Sequence, residues 1–513
     1  MTRSNGHPAK TLQWLPFLPL LLSAAPRSYL AHDEGYYALQ ARWLLDSGQW
    51  LAPLWWDQPL FDRTIGVQWL IASSQQLLGP SSWAAHLPSL LAAAFALWLT
   101  AQLARQLLAH ELGWLSAALL ALTPLFLNYA HLASQDMPLL ALELVGVLAL
   151  LKAEPGSHWR WSLVAGLWLG PAFLIKGFMA ALPALALLPL LLLRRRHLLR
   201  SVSFWGGLAL GWLPAALWLT LSLQRYGAGV VGGLLDKLFY LSESDVYSAG
   251  PLYYIWNIPA NCAPWSLLGL LGLFWGLKRW RDIEALVLLV YPMALLLLLS
   301  CFRTKTPYYG LQTTPFLAIW AAAGLNLIWQ TRAFRWVVCG LGAAGVAAGL
   351  ALFTGIAATP LSPVVLGLAA LSLGLSWLLL PWQHQRPQAL TCLLLGPWLA
   401  VVLLVQAGLF TDRSPQLRQA LGLPALQQAL RDGPVAVISG GSLSGEAHAQ
   451  LILLALAAPE LGPKLSSAEA LQPGQTAWIE TSQLQDPANQ GLRPLTSSDD
   501  LAPWTLVRKP AAP

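Results

Sequence analysis

Carboxylates are rare in this chain, and three of them lie where an apolar run ends. Asp33 and Glu34 stand side by side after the first long apolar run, and Asp136 lies in the short turn of HLASQDMPLL. Ionisable groups at membrane depth are costly, so they are candidates for function. Two simpler interpretations stay open: the pair as hydrated juxtamembrane charges, and Asp136, two residues before Pro138, as a helix N-cap.

Basic side chains accompany these carboxylates. Lys176, in GPAFLIKGFMA, lies between two half-length apolar runs that can only return to the same side, and SCFRTKTPYYG carries Arg303 and Lys305. The alternative for Lys176 is a side chain that snorkels to the interface. Acidic and basic sites on one outer surface suit a reaction on a lipid-linked phosphate. Cations would hold the phosphate as it leaves, while a carboxylate takes a proton from an attacking hydroxyl or amine.

The elements that position these residues are apolar helices. The chain is 56% hydrophobic and 10% charged, whereas soluble domains are about 25% charged. This composition predicts an all-α polytopic membrane protein with about thirteen transmembrane helices and excludes a disordered chain. The predicted spans are 12–31, 83–108, 113–130, 137–152, 160–175, 178–193, 202–222, 255–277, 283–301, 309–329, 336–354, 360–381 and 390–410.

Basic clusters set the predicted orientation. The net charge of +7 is concentrated in loops such as 194–200, 278–281 and 332–335, as the positive-inside rule requires of cytoplasmic loops. This distribution argues against a nucleic-acid partner and places the N-terminus inside and the C-terminus outside. No cleavable signal peptide is evident, so the first run is interpreted as a retained span.

Residues 1–410 are predicted to form the transmembrane domain, with long outer loops at 32–82 and 225–254. The first loop contains two amphipathic stretches, near 35–47 and 65–78, expected to lie along the interface. Its tryptophans fit an aromatic belt, with sugar stacking as the alternative. They are Trp43, Trp50, Trp55, Trp56 and Trp69. Residues 411–513 alternate helix and strand patterns and are predicted to form a small extracytoplasmic α/β domain.

An ordered set of segments resembles a known family. HDEGYYALQARWLLDSGQWLAPLW, LFDRTIGVQWL, ALTPLFLNYAHLASQDMPLLAL, GPAFLIKGFMAALPALALLP, GPLYYIWNIPANCAPW and FRTKTPYYGLQTTPFLAIWAAAGL resemble the bacterial aminoarabinose-transferase and protein O-mannosyltransferase group. These are integral-membrane glycosyltransferases of the C superfamily. The resemblance covers most of residues 12–330, and it implies thirteen spans with an outer C-terminal domain.

The resemblance implies roles for individual residues. Asp33 would be the general base, Glu34 would support it, and Asp136 would match the second acidic position of the family. Arg63, in FDRTIG, stands where the family has Lys-Pro-Pro, and Lys305 matches the basic residue before the tenth span. Arg63, Lys176, Arg303 and Lys305 are therefore expected to bind the donor phosphate. Further contacts to donor or acceptor are expected from Tyr37, Asp62, Lys237, Tyr247, Tyr253 and Tyr308.

The implied activity is transfer of a hexosyl or pentosyl group from a polyprenyl-phosphate donor to a lipid, glycan or protein acceptor. It would occur by inverting displacement at the outer face of a bacterial cytoplasmic membrane. The sequence leaves open the sugar, the acceptor, the oligomeric state and the involvement of a divalent metal. A transporter or flippase of lipid-linked sugars and a surface-polysaccharide ligase or polymerase are the alternatives.

Overall fold

The structure is a computed structural model of the chain. It describes residues 12–56, 58–243, 248–277, 286–354, 362–439, 443–486, 489–495 and 501–511. These residues fall into two compact units. One unit comprises residues 1–25, 89–131 and 135–411, and the other comprises 26–88, 132–134 and 412–513.

Long apolar helices dominate the first unit. Seven helices in the described part of the chain are long and apolar enough to cross a membrane, or eight if the bent pair Leu112–Ala121 and Pro124–Ala130 counts as one span. The seven are Ser82–Leu107, Trp159–Arg194, Val202–Tyr226, Pro307–Ile328, Arg332–Phe353, Pro363–Trp382 and Arg386–Gln406. The predicted multi-pass helical class is therefore confirmed, whereas the count of thirteen stays a prediction.

The predicted first span is wrong in extent. Residues 12–31 contain only a 3-10 segment, Leu12–Phe17, and one helical turn, Leu18–Leu21. Pro16, Pro19 and Pro26 explain the interruption, because proline lacks the N–H that an interior helical position needs. The side chain of Gln406 caps this stretch by donating to the carbonyl oxygen atoms of Pro19 and Leu22.

Helical residues continue across the predicted spans 160–175 and 178–193, from Trp159 to Arg194, but the run is not straight. A 3-10 segment, Gly177–Ala180, follows Lys176, and Gly177 has φ +57°, a region that glycine enters readily. Lys176 ends the helix Leu169–Lys176 and contacts Asp136, at the start of helix Asp136–Lys152. Arg195 instead donates to the carbonyl oxygens of Leu150 and Leu151, near the end of that same helix. The chain therefore reverses direction after Lys176.

The remaining helices of this unit are shorter than a membrane span or lie beside the long ones. They are Asp136–Lys152, Gly229–Glu243, Tyr253–Asn261, Trp265–Leu277 and Tyr291–Ser300. The predicted span 255–277 is divided between two of them, since Pro264 follows the first. Backbones approach closely at glycines of the long helices: a Cβ on Gly211 would lie 2.1 Å from the Leu167 carbonyl oxygen.

The second unit combines the first predicted loop with the tail. Helices Tyr36–Ser47 and Gly66–Leu78 match the two amphipathic stretches. In the tail, helices Pro415–Leu421, Pro424–Arg431 and Gly445–Ala457 accompany a five-stranded sheet. Its strand order is Leu461–Leu465, Val435–Ile438, Thr476–Glu480, Trp504–Arg508, Arg493–Pro494. The first three strands are parallel and the last two join antiparallel.

Three tryptophans predicted for an aromatic belt pack together instead. Trp43 and Trp56 are each 7% exposed, and their ring centroids lie 4.9 Å apart. Trp55 contacts both rings, at 5.6 and 4.9 Å. Trp56 has φ +52° in the turn after strand Leu54–Trp55, a conformation that costs a non-glycine residue about 1–3 kcal/mol. These indoles form a small core within the first predicted loop.

Candidate functional site

Glu34 lies at the centre of a buried network in the second unit. It belongs to the short π-helical segment Ala31–Gly35 and is 0% exposed. Its Oε1 accepts from the Leu30 N–H at 2.6 Å, and its Oε2 accepts from the Ala133 N–H at 3.0 Å. The Nε2 atom of His86 lies 2.8 Å from the same Oε2. Both carboxylate oxygens are therefore fixed by protein groups, which suits a supporting role.

Both ring nitrogens of His86 have partners. Nδ1 lies 2.5 Å from the Ser82 carbonyl oxygen, and Nε2 faces Glu34. Tyr29 stacks on the imidazole at 5.4 Å and restrains its orientation.

Asp33, the predicted base, differs from its neighbour in exposure. Asp33 is exposed, whereas Glu34 is buried. Gly35, the last residue of the π-helical segment, packs against helix Gly445–Ala457. A Cβ on Gly35 would lie 3.0 Å from Cγ2 of Ile452, so glycine allows this close contact. The fixed Glu34 thereby anchors the segment from which the accessible carboxylate of Asp33 projects.

Arg63 forms a second cluster in this unit. Its Nε lies 3.1 Å from both carboxylate oxygens of Asp62, and its Nη2 lies 2.7 Å from Asp62 Oδ2. The guanidinium also lies 4.4 Å from the ring centre of Tyr36 and 4.8 Å from that of Tyr37. Tyr36 in turn stacks on Trp55 at 5.1 Å. The structure thus brings together three predicted site residues, Arg63, Asp62 and Tyr37.

Electrostatics keep this arginine charged. Burial alone would lower the pKa of Arg63, but Tyr37 and the Asp62 carboxylate raise it above its ordinary value. A guanidinium held between a carboxylate and two aromatic faces retains a fixed plane. Such a plane can present its remaining N–H groups to a phosphate in a defined direction.

The first unit contains its own ion pair. Lys176 Nζ contacts Asp136 Oδ1, and the two side chains are 8% and 10% exposed. The ammonium lies 4.7 Å from the ring centre of Tyr308 and 5.5 Å from that of Tyr309. The structure therefore brings together three more predicted residues, Asp136, Lys176 and Tyr308. Asp136 is the first residue of helix Asp136–Lys152, and Gln135 rather than Asp136 occupies its N-cap position.

The other predicted contacts lie elsewhere in this unit or beyond its described part. Lys305 is buried and donates to the Phe302 carbonyl oxygen at 2.5 Å, while Arg303 is exposed. Lys237 lies 5.1 Å from the ring centre of Tyr240, and Tyr253 packs against Tyr254. Tyr247 and the basic cluster 278–281 lie outside the described residues.

Sequence reasoning missed Glu143 and His86. Glu143 lies within helix Asp136–Lys152, is 0% exposed, and contacts the Tyr291 hydroxyl through Oε1. The signal was present, because a carboxylate inside the apolar run LLALELVGVLALL is itself a functional candidate. His86 lies at the start of helix Ser82–Leu107, and no local pattern links it to Glu34. Within the described residues, no three His, Cys, Asp or Glu side chains are grouped as metal ligands would be.

Comparisons with known proteins agree with these observations. A family model described as dolichyl-phosphate-mannose-protein mannosyltransferase matches residues 62–220. Two curated relatives, from Erwinia tasmaniensis and Yersinia pestis, are named undecaprenyl phosphate-alpha-4-amino-4-deoxy-L-arabinose arabinosyl transferase. Each is 28% identical, over 304 and 330 residues respectively, which is 56% and 60% of this chain. The chain spans a little over half the length of these relatives, 54% and 57%.

The fold also has a close counterpart. The crystal structure of ArnT from Cupriavidus metallidurans bound to undecaprenyl phosphate matches with a TM-score of 0.75 at 17% identity. The match covers 98% of this chain and 97% of that protein. The apo structure of the same protein gives a TM-score of 0.72. These likenesses confirm the resemblance: the chain is similar in sequence and fold to the aminoarabinose-transferase and O-mannosyltransferase group.

Proposed function

We propose that this chain is a glycosyltransferase that moves a sugar from a polyprenyl-phosphate donor to an acceptor at the outer face of the cytoplasmic membrane. The observation that carries the proposal is the Lys176 site. There, an ammonium group is buried among a carboxylate and two tyrosine rings, next to a change of helix type in an apolar run. Arg63, with its oriented guanidinium, is the second proposed phosphate ligand, and Arg303 and Lys305 remain proposed ligands.

The proposed chemistry is a single inverting displacement. The acceptor oxygen or nitrogen attacks the anomeric carbon, and its proton passes to the Asp33 carboxylate. The bond between the anomeric carbon and the phosphate oxygen breaks, and polyprenyl phosphate leaves with that electron pair. Cations stabilise the charge that develops on the leaving phosphate. Glu34 acts by holding the segment that carries Asp33, and Asp136 acts by holding Lys176.

The similar proteins guide the choice of substrate. The curated relatives are named for transfer of an aminoarabinose, a pentose, from undecaprenyl phosphate. We therefore propose an undecaprenyl-phosphate pentose as the first sugar donor to test. A lipid is the first acceptor to test, followed by a glycan and a protein.

The test is transfer by the purified full-length chain in lipid nanodiscs. The chain is supplied with undecaprenyl-phosphate aminoarabinose and a lipid A acceptor, and mass spectrometry detects the product. Asp33→Asn should lower the turnover rate by about 10²–10⁴-fold, the usual contribution of a general base. The matched control is Asp46→Asn, because Asp46 is a nearby carboxylate, 52% exposed, whose partner is Arg42; its rate should equal that of the unsubstituted chain.

The outcomes separate the assignment from the function. Full activity of a correctly inserted Asp33→Asn variant would show that the base is another group. Passage of unchanged sugar across the bilayer of donor-loaded vesicles, with no product on any acceptor class, would favour the flippase alternative. A comparison of envelope lipids, glycans and proteins from cells with and without the gene then identifies the native acceptor.

A further inference from the structure

Glu143 is a buried carboxyl group that the proposed reaction does not use. It is 0% exposed in helix Asp136–Lys152. Oε1 contacts the hydroxyl of Tyr291, a side chain that is 2% exposed, whereas Oε2 has no hydrogen-bond partner among the described residues. A buried acceptor that is left unsatisfied is costly, and native structures contain few. This oxygen therefore calls for an explanation.

Helix geometry relates Glu143 to the Lys176 site. Glu143 follows Asp136 by seven residues, about two turns, so both carboxyl groups lie on one face, about 10 Å apart along the axis. Lys176 contacts Asp136, so its positive charge lies about two helical turns from Glu143, a distance at which charges in a protein interior still act on one another. One ammonium therefore lies within the field of two carboxyl groups on the same helix.

The charges of this group do not balance if both carboxyl groups ionise. Lys176 supplies one positive charge, and Asp136 and Glu143 would supply two negative charges in a site that is nearly closed to water. A buried uncompensated charge is strongly unfavourable, so the resting site holds one extra proton. The other ionisable groups on elements that pack against this helix are Tyr129, Tyr308 and Tyr309, together with Arg160 and Arg194 near the helix ends.

We infer that Glu143 is a positioning residue whose proton decides whether Lys176 is available to the phosphate of the polyprenyl donor. When Glu143 is protonated, Lys176 faces a single carboxylate and can bind the phosphate. When Glu143 is ionised, a second negative charge lies near the ammonium, and the field of the two carboxylates repels the phosphate. The inference rests on the proposed function, since it takes Lys176 as a phosphate ligand.

The experiment measures binding of undecaprenyl phosphate to the full-length chain in detergent from pH 6 to pH 9. The phosphate itself titrates in this range, so the readout is the ratio of the Kd of the unsubstituted chain to that of Glu143→Gln. This ratio should rise from about one at low pH to about tenfold at high pH, which corresponds to about 1.4 kcal/mol. Tyr291→Phe removes a donor to the ionised carboxylate, so it should move the rise to higher pH.

A matched control carries a glutamate outside the site. Glu154→Gln removes a carboxylate that is 63% exposed and lies 3.4 Å from Arg195, so its binding should follow the unsubstituted chain at every pH. A Glu143→Gln ratio that does not change with pH overturns the inference, and so does uniformly weaker binding, because both indicate a merely structural glutamate. If Glu143→Gln fails to fold, the Tyr291→Phe variant provides the test. A pH profile of binding that is the same for Tyr291→Phe and the unsubstituted chain also overturns the inference.

Failure of the proposed function has a different signature. Lys176→Gln should weaken binding about tenfold at pH 6, where Glu143 is protonated, since a charged hydrogen bond to the phosphate is lost. Equal binding by Lys176→Gln and the unsubstituted chain would show that Lys176 is not a phosphate ligand. The assignment of Glu143 would then fail with that of Lys176, whereas a pH-independent Glu143→Gln ratio alone leaves Lys176 in place.

Discussion

Glu34 and Glu143 are both 0% exposed, yet their surroundings differ. Glu34 receives two backbone N–H groups and the imidazole of His86. Glu143 has one hydroxyl partner, and its second carboxyl oxygen has no hydrogen-bond partner among the described residues. Burial alone therefore does not define the role of a carboxyl group. The number of fixed partners separates a group committed to structure from one that can exchange a proton or a partner.

Removal of the fully bonded carboxylate should have the largest effect on stability. Glu34→Ala leaves His86 and two backbone N–H groups buried without their acceptor, and the loss of one member of such a network costs about 3–5 kcal/mol. Thermal unfolding in detergent should show a clear fall in the midpoint temperature. Glu34→Gln should be intermediate, because its amide oxygen satisfies part of the network. A midpoint within 1 °C of the unsubstituted chain for Glu34→Ala would contradict the structural role.

Replacement of the second glutamate should be nearly neutral when its partner is also made apolar. Glu143→Leu combined with Tyr291→Phe removes both members of a half-satisfied pair, and such exchanges change stability by about 1 kcal/mol or improve it. The same melting experiment measures this effect. The control is the single variant Glu143→Leu, which leaves the Tyr291 hydroxyl unpaired and should melt below the double variant. If the double variant loses as much stability as Glu34→Ala, the contrast between the two glutamates is wrong.

The smallest effect concerns a histidine whose neighbour is another histidine. His448 stacks on His32 at 5.4 Å, and burial, then His32 and Lys464, lower the pKa of His448 from its ordinary value of 6.5. The folded chain therefore binds this proton less readily than the unfolded chain, and stability falls as pH drops below about 6.5. His448→Gln should reduce the loss of melting temperature between pH 7.5 and pH 5.5. Equal losses in both proteins would exclude His448 as a source of acid sensitivity.

Local patterns predicted the helical class and much of the tail. The two amphipathic stretches became helices Tyr36–Ser47 and Gly66–Leu78, and the strand patterns in the tail became Val435–Ile438 and Thr476–Glu480. These elements follow from hydrophobic periodicity, which a sequence displays directly. The extent of the first predicted span was wrong because the prediction relied on hydropathy and gave too little weight to three prolines that interrupt the helix. The reversal at Lys176 was visible in the sequence as a charge between two half-length apolar runs.

Candidate site residues were found by type, but their partners were not. Lys176 and Asp136 were singled out separately, since each interrupts an apolar sequence, and the structure pairs them across 40 residues. Tyr291 is 148 residues from Glu143, and His86 is 52 residues from Glu34. Such pairs depend on tertiary packing, which one sequence without relatives does not reveal. The three tryptophans show the same limit, because a sequence rich in tryptophan is compatible with both an aromatic belt and a buried cluster.

Arg42 links the first predicted loop to the C-terminal tail. From helix Tyr36–Ser47, its guanidinium donates to the carbonyl oxygens of Ala458 and Pro459 at the end of helix Gly445–Ala457. A premature stop codon after residue 411 would remove both of these acceptors and leave the buried guanidinium without them. Nonsense mutations late in the gene should therefore damage the neighbourhood of Asp33, rather than trim a dispensable appendage.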